Sequence, residues 1–360
     1  MLIWLLFLAC IFRGCQGIAE EDSTLLFLQV IFRHGDRAPI KLYPNDPNTE
    51  EAWPEGLGQL TMLGKKQNYE VGKYLRFLYE DFITSDPNEV MVNSSESTRC
   101  MMSALAIVAS LYSPEGRWKF REDIDWQPIL VNYLPNEIDK YLSFQSICPQ
   151  AALETFKVMK SKEVQEYLKK HKTCDKWNTF LLYDTLFIEK KYNLTIPKEV
   201  EPYWNEFEEF ALTAFQWAYG CPEIVRLRAG PLLQNIIENM NRKIAGDMPK
   251  RKVQMYCSHD VIISALLLAM NITDVPRPPY AATLLIELHQ MSNDTKSVRL
   301  FYFNSTDPEQ EIDEPHLLYL DGCSEFCPLQ HFIESTRHMI PEDWSKECLF
   351  GDISLSDQCV

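Results

Sequence analysis

Basic residues are scarce in this sequence. Its 360 residues include 35 Lys and Arg against 51 Asp and Glu, which gives a formal net charge of −16. The long-range field of such a chain repels polyanions, so the composition excludes nucleic acid and an anionic membrane surface as the main partners. Any site for an anion must therefore be local.

Long apolar runs are scarce as well. One stands at the start, MLIWLLFLACIFRGCQG, where small residues follow an apolar stretch as in a secretory signal peptide, and we predict that residues 1–17 are removed. The run is too short to span a bilayer comfortably, and no later stretch is long and apolar enough. The sequence therefore predicts a mature protein outside the cytosol, without a stable membrane anchor.

Cysteines and glycosylation sequons agree with that compartment. Nine of the eleven cysteines lie beyond residue 17, as is common in chains that mature under oxidising conditions. Five sequons begin at Asn93, Asn193, Asn271, Asn293 and Asn304. All but Asn93, which lies close to the crevice described below, are expected to be glycosylated. A secreted protein is the prediction, and a lysosome-like lumen is the alternative destination.

Patterns that would indicate a cofactor are missing. The Gly-rich stretch WPEGLGQLTMLG (53–64) has neither G-x-G-x-x-G nor G-K-[ST], and we interpret it as a turn that enters a helix from about Leu60. Cys323 and Cys327 have C-x-x-x-C spacing without a second pair at zinc-finger spacing, which in a secreted chain favours a disulfide. No cofactor and no metal are expected.

A pattern of strand, turn and helix occurs three times, each time with ionisable residues in the turn. The apolar run LLFLQVIF (25–32) predicts a strand buried on both faces, and RHGDR follows it directly. Near residue 90, a β-rich stretch and a Ser-rich turn lead to Arg99 at a helix start, and KVQMYCSHDVIISALLLAM (252–270) places His259 and Asp260 in the third turn. Open α/β sheets bind ligands beyond the carboxyl ends of their strands, so we expect the turns to share one crevice.

The three arginines of these turns suit a phosphate dianion. Arg33, Arg37 and Arg99 offer forked donors that match the oxygens of phosphate. The positive charge beside His34 should lower the pKa of its imidazole, which keeps the ring neutral and nucleophilic. The neighbouring Gly35 permits close approach of the backbone to a ligand.

Asp260, unlike His34, must be protonated to act, because it gives a proton to a leaving oxygen. A bound phosphate dianion should raise the pKa of this carboxyl. The residues therefore predict an activity that is favoured by acidic pH and that proceeds through a phosphohistidine, which water then hydrolyses.

The remaining sequence suggests a second, helical unit. Residues 135–245 look mainly helical and lie between segments that carry strands. We predict a mixed α/β fold whose mostly parallel sheet is flanked by helices. Residues 18–134 and 246–360 would form the core domain, and residues 135–245 a smaller inserted cap.

Five motifs of the chain resemble those of the histidine acid phosphatases in order and spacing, with the animal secreted, prostatic-like and lysosomal-like branch as the best match. They are FRHGDRAP (32–39), WPEGLGQLTMLG (53–64), STRCMMSA (97–104), VRLRAGPLLQNII (225–237) and YCSHDVIISAL (256–266). The resemblance covers essentially the whole mature chain. It implies a phosphorylated nucleophile at His34, a proton donor at Asp260, and phosphate ligands at Arg33, Arg37, Arg99 and His259.

The resemblance has further implications for substrates, assembly and cysteines. It implies small phosphate monoester substrates, no metal and a helical cap, and it allows a homodimer. Three disulfides are predicted, the last as a hypothesis within the helical insertion: Cys148–Cys348, Cys323–Cys327 and Cys174–Cys221. Cys100 and Cys257 adjoin site residues on buried elements, and we interpret them as inert core thiols.

Two alternatives stay open. A phytase or a lysophosphatidic-acid-type phosphatase would use the same RHGxRxP loop, although the highly anionic substrate of a phytase favours extra lysines, and only Lys41 is near the motif. A secreted protein that binds phosphorylated small molecules without turnover is the other alternative. Such proteins usually lose the nucleophile or the acid, and this chain keeps both.

Overall fold

The computed structural model describes residues 23–171, 176–304, 307 and 314–349. The predicted signal peptide, residues 1–17, lies outside this part of the chain. Within the described ranges, no helix has the length and the apolar character needed to cross a membrane.

An eight-stranded mixed sheet forms the centre of the fold. Its strands are β1 (Ser23–Arg33), β2 (Val90–Ser95), β3 (Val131–Leu134), β4 (Val253–Ser258), β5 (Thr283–Met291), β6 (Lys296–Phe303), β7 (His316–Leu318) and β8 (Cys327–Pro328). Seven strands follow the order β3-β2-β4-β1-β5-β6-β7, and β8 pairs with β6. The first four in that order pair in parallel, whereas the pairings from β1–β5 onwards are antiparallel. The predicted mixed α/β fold is confirmed. The sequence predicts a mostly parallel sheet, whereas the structure has parallel pairing in only one half of it.

The central strand β1 explains the apolar run that precedes RHGDR. It lies between β4 and β5, and its residues from Phe27 to Arg33 are all buried. Phe27 and Ile31 pack in one core cluster and Leu28 and Val30 in another, because successive side chains of a strand point to opposite faces. A strand covered on both faces needs apolar residues at successive positions.

Ten α-helices lie in the described part of the chain. They are α1 (Met62–Leu78), α2 (Thr98–Leu111), α3 (Pro149–Lys160), α4 (Lys162–Lys170), α5 (Lys176–Lys191), α6 (Trp204–Gln216), α7 (Pro222–Ile244), α8 (Asp260–Ala269), α9 (Leu329–Thr336) and α10 (Trp344–Leu349). Helices α1 and α2 cover one face of the sheet, and α7 and α8 pack in the core cluster on the other. Both faces of the sheet are therefore buried.

Helices α3 to α6 follow one another without an intervening strand in the described residues between 149 and 216. Part of this segment has an apolar cluster of its own, which joins α3, α4 and α6 to the start of α7 through residues such as Val158, Leu168 and Phe210. Farther along α7, Leu232 and Ile236 belong to the core of the sheet instead. The division into a core and an inserted cap, with boundaries at 135 and 245, stays a prediction.

Two predicted disulfides are present. Cys148 is bonded to Cys348 across 200 residues, and Cys323 is bonded to Cys327. Cys221 is also disulfide-bonded, while its predicted partner Cys174 lies outside the described residues.

The sequons occupy two kinds of position. Asn193, Asn271, Asn293 and Asn304 are exposed. Asn93, in contrast, is a residue of β2 that pairs with both neighbouring strands. This setting agrees with the expectation that Asn93 is a poor acceptor, and occupancy of the other four stays a prediction.

Candidate active site

The six residues predicted from the three turns line one cavity of about 290 Å³. They are Arg33, His34, Arg37, Arg99, His259 and Asp260. Strands β1, β2 and β4 are parallel neighbours, so their carboxyl ends lie at the same edge of the sheet. Helices α2 and α8 begin there, which brings the side chains of the turns together.

The loop after β1 is held tightly against α1 and α5. A Cβ atom on Gly35 would lie 2.3 Å from the carbonyl oxygen of Gly64, so only glycine fits at this close approach. Asp36 is completely buried, and its carboxylate accepts hydrogen bonds of 2.5 Å from both Lys191 and Tyr192. Asp36 therefore anchors the loop to α5 and does not face the cavity.

The imidazole of His34 is oriented by the backbone. Its Nδ1 lies 2.8 Å from the carbonyl oxygen of Gly35. A carbonyl can only accept, so Nδ1 carries the hydrogen and Nε2 keeps its lone pair. Burial, followed by the charges of Arg99 and Arg33, lowers the pKa of His34 well below its usual range. The predicted direction is confirmed, and burial adds to the effect of the arginines.

The arginines differ in what holds them. Two nitrogens of Arg37 donate to the two carboxylate oxygens of Asp184 in α5, at 2.9 and 3.0 Å, and both side chains are buried. The Nε atoms of Arg33 and Arg99 are buried without a hydrogen-bond partner among the described residues. A buried donor without an acceptor costs free energy, so these positions favour a ligand that brings acceptor oxygens.

Asp260 is paired with two guanidinium groups. Its Oδ2 accepts hydrogen bonds from Nε and Nη2 of Arg277 at 2.9 and 2.8 Å, and it lies 3.0 Å from Nη2 of Arg33. Burial raises the pKa of Asp260, but the charges of Arg33 and Arg277 outweigh this effect and hold it well below the usual range. The two guanidinium groups therefore favour the ionised carboxylate.

His259 lies opposite His34, with the two rings 5.3 Å apart. Its Nε2 is 3.3 Å from the hydroxyl of Ser95 and 3.4 Å from that of Ser97. These hydroxyls lie at the end of β2 and before α2, so the second turn orients the imidazole of the third.

Three residues at the site were not found from the sequence. Arg277 and Tyr280 come from the loop after α8, and Tyr280 stacks at 4.2 Å on the guanidinium of Arg33. Asp184 comes from α5. For Asp184 the sequence offers one signal, since it is the lone acidic residue in the apolar run TFLLYDTLFI (179–188). A charge in such a run indicates a buried partner of opposite charge.

Part of the cavity wall is apolar. Phe144, Phe180, Ala214, Phe215 and Ala218 form it, and all five come from the helical segment. The guanidinium of Arg277 lies 4.8 Å from the ring of Phe215 and 5.3 Å from that of Phe180. Among the described residues that line the cavity there is no lysine. The arginines of the cavity can thus contact a small dianion, and its aromatic residues can contact an apolar group.

Comparison with known proteins finds relatives along most of the chain. The chain is 34% identical to prostatic acid phosphatase of Homo sapiens, over 96% of this chain and 92% of that protein. It is 31% identical to lysosomal acid phosphatase of Xenopus laevis, over 94% of this chain and 82% of that protein. Among solved structures, Hafnia alvei phytase in complex with tartrate has the same fold, with a TM-score of 0.69 and 18% identity over 90% of this chain and 99% of that one.

A family model also matches most of the chain. The model of the histidine phosphatase superfamily (branch 2) matches residues 24–303. This range includes every strand that contributes to the cavity and all six predicted site residues. The chain therefore belongs to the histidine phosphatase superfamily, branch 2.

Proposed function

We propose that this protein is an acid phosphatase that hydrolyses phosphate monoesters through a phosphohistidine at His34. The observation that carries the proposal is the oriented, neutral imidazole of His34 in a cavity with Arg33, Arg37 and Arg99. The names of the relatives, prostatic and lysosomal acid phosphatase, support the same activity.

The proposed reaction has two steps. In the first, the guanidinium groups hold the phosphate oxygens, and the lone pair on Nε2 of His34 forms a bond to phosphorus as the bond to the ester oxygen breaks. The leaving oxygen takes a proton from the carboxyl of Asp260. In the second, water attacks phosphorus and gives its proton to the Asp260 carboxylate. The bond to His34 then breaks, and inorganic phosphate is released.

The backbone of Gly35 supports the first step. Phosphorylation at Nε2 places positive charge on the ring of His34, while Nδ1–H continues to donate to the Gly35 carbonyl. Hydrogen bonds to charged groups are stronger than neutral ones, so this contact strengthens as the phosphohistidine forms. It also fixes which nitrogen attacks.

Substrate binding favours protonation of Asp260 by solvent. A phosphate dianion competes for Arg33 and brings negative charge next to the carboxyl, and both effects raise the pKa of Asp260 from the low value that Arg33 and Arg277 impose. The carboxyl must be protonated to act as the acid. The rate should therefore fall as pH rises through the pKa of Asp260 in the complex, which gives an acidic optimum.

The proposal is tested with two substrates and two variants. His34→Ala should abolish turnover of both an aryl and an alkyl phosphate. Asp260→Ala should reduce hydrolysis of the alkyl ester much more, because an aryl leaving group departs without protonation. Matching near-ultraviolet circular dichroism would establish that the variants are folded. Absence of turnover by the wild type from acidic to neutral pH, or equal losses on both substrates for Asp260→Ala, would count against the mechanism.

The aromatic wall favours small monoesters over phytate. Phe144, Phe180 and Phe215 offer apolar contact to a leaving group, whereas the many phosphates of phytate need further cations. We expect a higher kcat/KM for an aryl monoester than for inositol hexakisphosphate. The reverse order would favour the phytase alternative, and tight binding of phosphate esters without turnover would favour the non-catalytic one.

We also propose that the protein enters the secretory pathway, by cleavage after residue 17 and N-glycosylation at the four exposed sequons. Exposure of Asn193, Asn271, Asn293 and Asn304 supports this. Amino-terminal sequencing of the purified protein, together with its loss of mass on treatment with an N-glycosidase, tests both parts. An intact leader and an unchanged mass would reject them.

A homodimer is the proposed assembly. Strand β3 is at the edge of the sheet; Leu130, which precedes it, is 75% exposed, and Tyr133 within it is 54% exposed. An exposed edge strand with apolar flanks suits pairing with a second copy of the chain. Sedimentation should give a dimer for the wild type and a monomer for Leu130→Glu, whereas a monomeric wild type would contradict the assembly.

A further inference from the structure

A fourth arginine lines the phosphate cavity and holds no phosphate oxygen in the reaction above. Arg277 lies in the loop after α8, and its side chain is 20% exposed. Prolines precede and follow it in the run VPRPPY (275–280), and they restrict the backbone on both sides. The carbonyl oxygen of Pro278 also accepts a hydrogen bond of 2.8 Å from Nη1 of Arg33. The position of Arg277 is therefore fixed before a substrate enters.

The guanidinium and carboxylate charges of the cavity balance those of a phosphate dianion only while Asp260 is ionised. Four arginines line the cavity: Arg33, Arg37, Arg99 and Arg277. The carboxylates of Asp184 and Asp260 form ion pairs with three of them, which leaves two positive charges for the dianion. Once Asp260 is protonated to act as the acid, one positive charge has no counterpart. It lies on Arg277, the arginine that holds no phosphate oxygen.

Only part of the guanidinium of Arg277 is engaged. Its Nε and Nη2 both donate to Oδ2 of Asp260, and within the residues that the structure describes no hydrogen bond engages Nη1. The N–H groups at the end formed by Nη1 and Nη2 make a fork that matches the two oxygens of a carboxylate. The guanidinium carbon is 5.3 and 4.8 Å from the ring centres of Phe180 and Phe215, and such apolar neighbours strengthen an ion pair.

A group on the alcohol part of the substrate can reach this fork. Asp260 gives its proton to the ester oxygen, which therefore lies about 2.7 Å from the carboxyl. Nη2 of Arg277 lies 2.8 Å from Oδ2 of the same carboxyl. The ester oxygen and the guanidinium are thus separated by little more than one carboxyl group, a distance that an anionic group a few bonds from the ester oxygen spans.

We propose that Arg277 is a specificity-determining residue that binds a carboxylate on the alcohol part of the substrate, so that the preferred substrates are phosphate monoesters of hydroxy acids. The inference rests on the proposed phosphatase activity and names its substrate class. The substrate carboxylate takes up the charge that protonation of Asp260 leaves on Arg277. It also offsets an unfavourable effect, because a second guanidinium beside an acid catalyst opposes the protonation that the acid needs.

The test compares two aryl phosphates of nearly equal shape, meta-carboxyphenyl phosphate and meta-carbamoylphenyl phosphate. The kcat/KM of each is measured at about pH 5.5, where a carboxyl group of ordinary pKa is ionised. The wild type should favour the carboxylate by about tenfold, as expected for one charge-assisted hydrogen bond. In Arg277→Gln this ratio should fall about tenfold. Because the same pair is compared in each enzyme, the reactivity of the leaving groups and the effect of Arg277 on Asp260 cancel.

Two further variants serve as controls. Arg277→Lys keeps the charge without the fork, and its ratio should lie between those of the wild type and Arg277→Gln. Lys41→Gln removes an exposed charge that does not line the cavity, and it should keep the wild-type ratio. A ratio near one in the wild type, or an equal fall in Lys41→Gln and Arg277→Gln, would overturn the inference.

Folding and activity are measured separately from this preference. If Arg277→Gln does not fold, the wild-type ratio at lower pH decides, because the preference should vanish once the substrate carboxyl is protonated. A preference that persists there would refute the pairing. Hydrolysis of the carbamoyl ester reports the proposed activity by itself. Turnover of this ester without a preference for the carboxylate would reject this inference alone, whereas absence of turnover of both esters would reject the proposed function as well.

Discussion

Replacing Arg277 with Gln tests how the pocket controls the protonation of Asp260. Two nitrogens of Arg277 donate to Oδ2 of Asp260 at 2.9 and 2.8 Å. Its charge is also one of the two guanidinium charges that hold the pKa of this carboxyl low. Gln retains donor capacity but removes the charge. The pKa of Asp260 should therefore rise.

The size of the change follows from the lost interaction. A hydrogen bond between charged groups contributes about 1.5–3 kcal/mol, and one pKa unit corresponds to about 1.4 kcal/mol. We therefore expect the pKa of Asp260 to rise by about one to two units. Since Asp260 acts in its protonated form in the enzyme–substrate complex, the alkaline limb of kcat should move to higher pH by the same amount.

The assay is the pH dependence of kcat for an alkyl phosphate, for which proton donation matters most. Arg277→Lys is the matched control, because it keeps the positive charge and should leave the alkaline limb close to that of the wild type. An alkaline limb at unchanged or lower pH in Arg277→Gln would refute the reasoning. So would an equal shift in both variants, since packing against Phe215 and not charge would then be responsible.

Three further predictions concern stability and positioning. Burial raises the pKa of the fully buried Glu189 to about 7, so the folded state holds a proton that the unfolded chain releases. The free energy of unfolding, measured by urea titration, should therefore fall by at most about 3 kcal/mol as the pH rises from 4.5 to 7. In Glu189→Gln the free energy of unfolding should stay flat over this range. Gly35→Ala should destabilise the fold by about 1–3 kcal/mol in thermal unfolding, because its Cβ would meet the backbone of Gly64; an unchanged Tm would contradict this. Asp184→Ala leaves the buried Arg37 without its ion-pair partner, so the free energy of unfolding in denaturant should fall by about 3–5 kcal/mol and KM should rise. An unchanged KM would mean that Asp184 does not position Arg37.

Much of the site could be predicted because its chemistry is local in sequence. Each turn follows directly on a strand, and the parallel pairing of β1, β2 and β4 is enough to bring the turns together. The low pKa of His34 was also expected from its neighbouring arginines. Burial, which contributes most, depends on how helices cover the site and cannot be read from the motif itself.

The unpredicted residues act across long sequence distances. Asp184 pairs with Arg37 over 147 residues, and its position in α5 has no motif around it. Arg277 follows Asp260 by 17 residues, but it lies in a loop whose path sequence patterns do not define. In each case the sequence offers the residue type, and only the packing supplies the partner.

The most direct test of the central claim is to trap the phosphoenzyme. The wild type is mixed with an excess of an aryl phosphate, quenched in alkaline denaturant to preserve phosphohistidine, digested and examined by mass spectrometry. We predict phosphate on His34, none on His259, and no labelled peptide from His34→Ala. Phosphate on another residue, or steady turnover without any trapped phosphohistidine, would contradict the account.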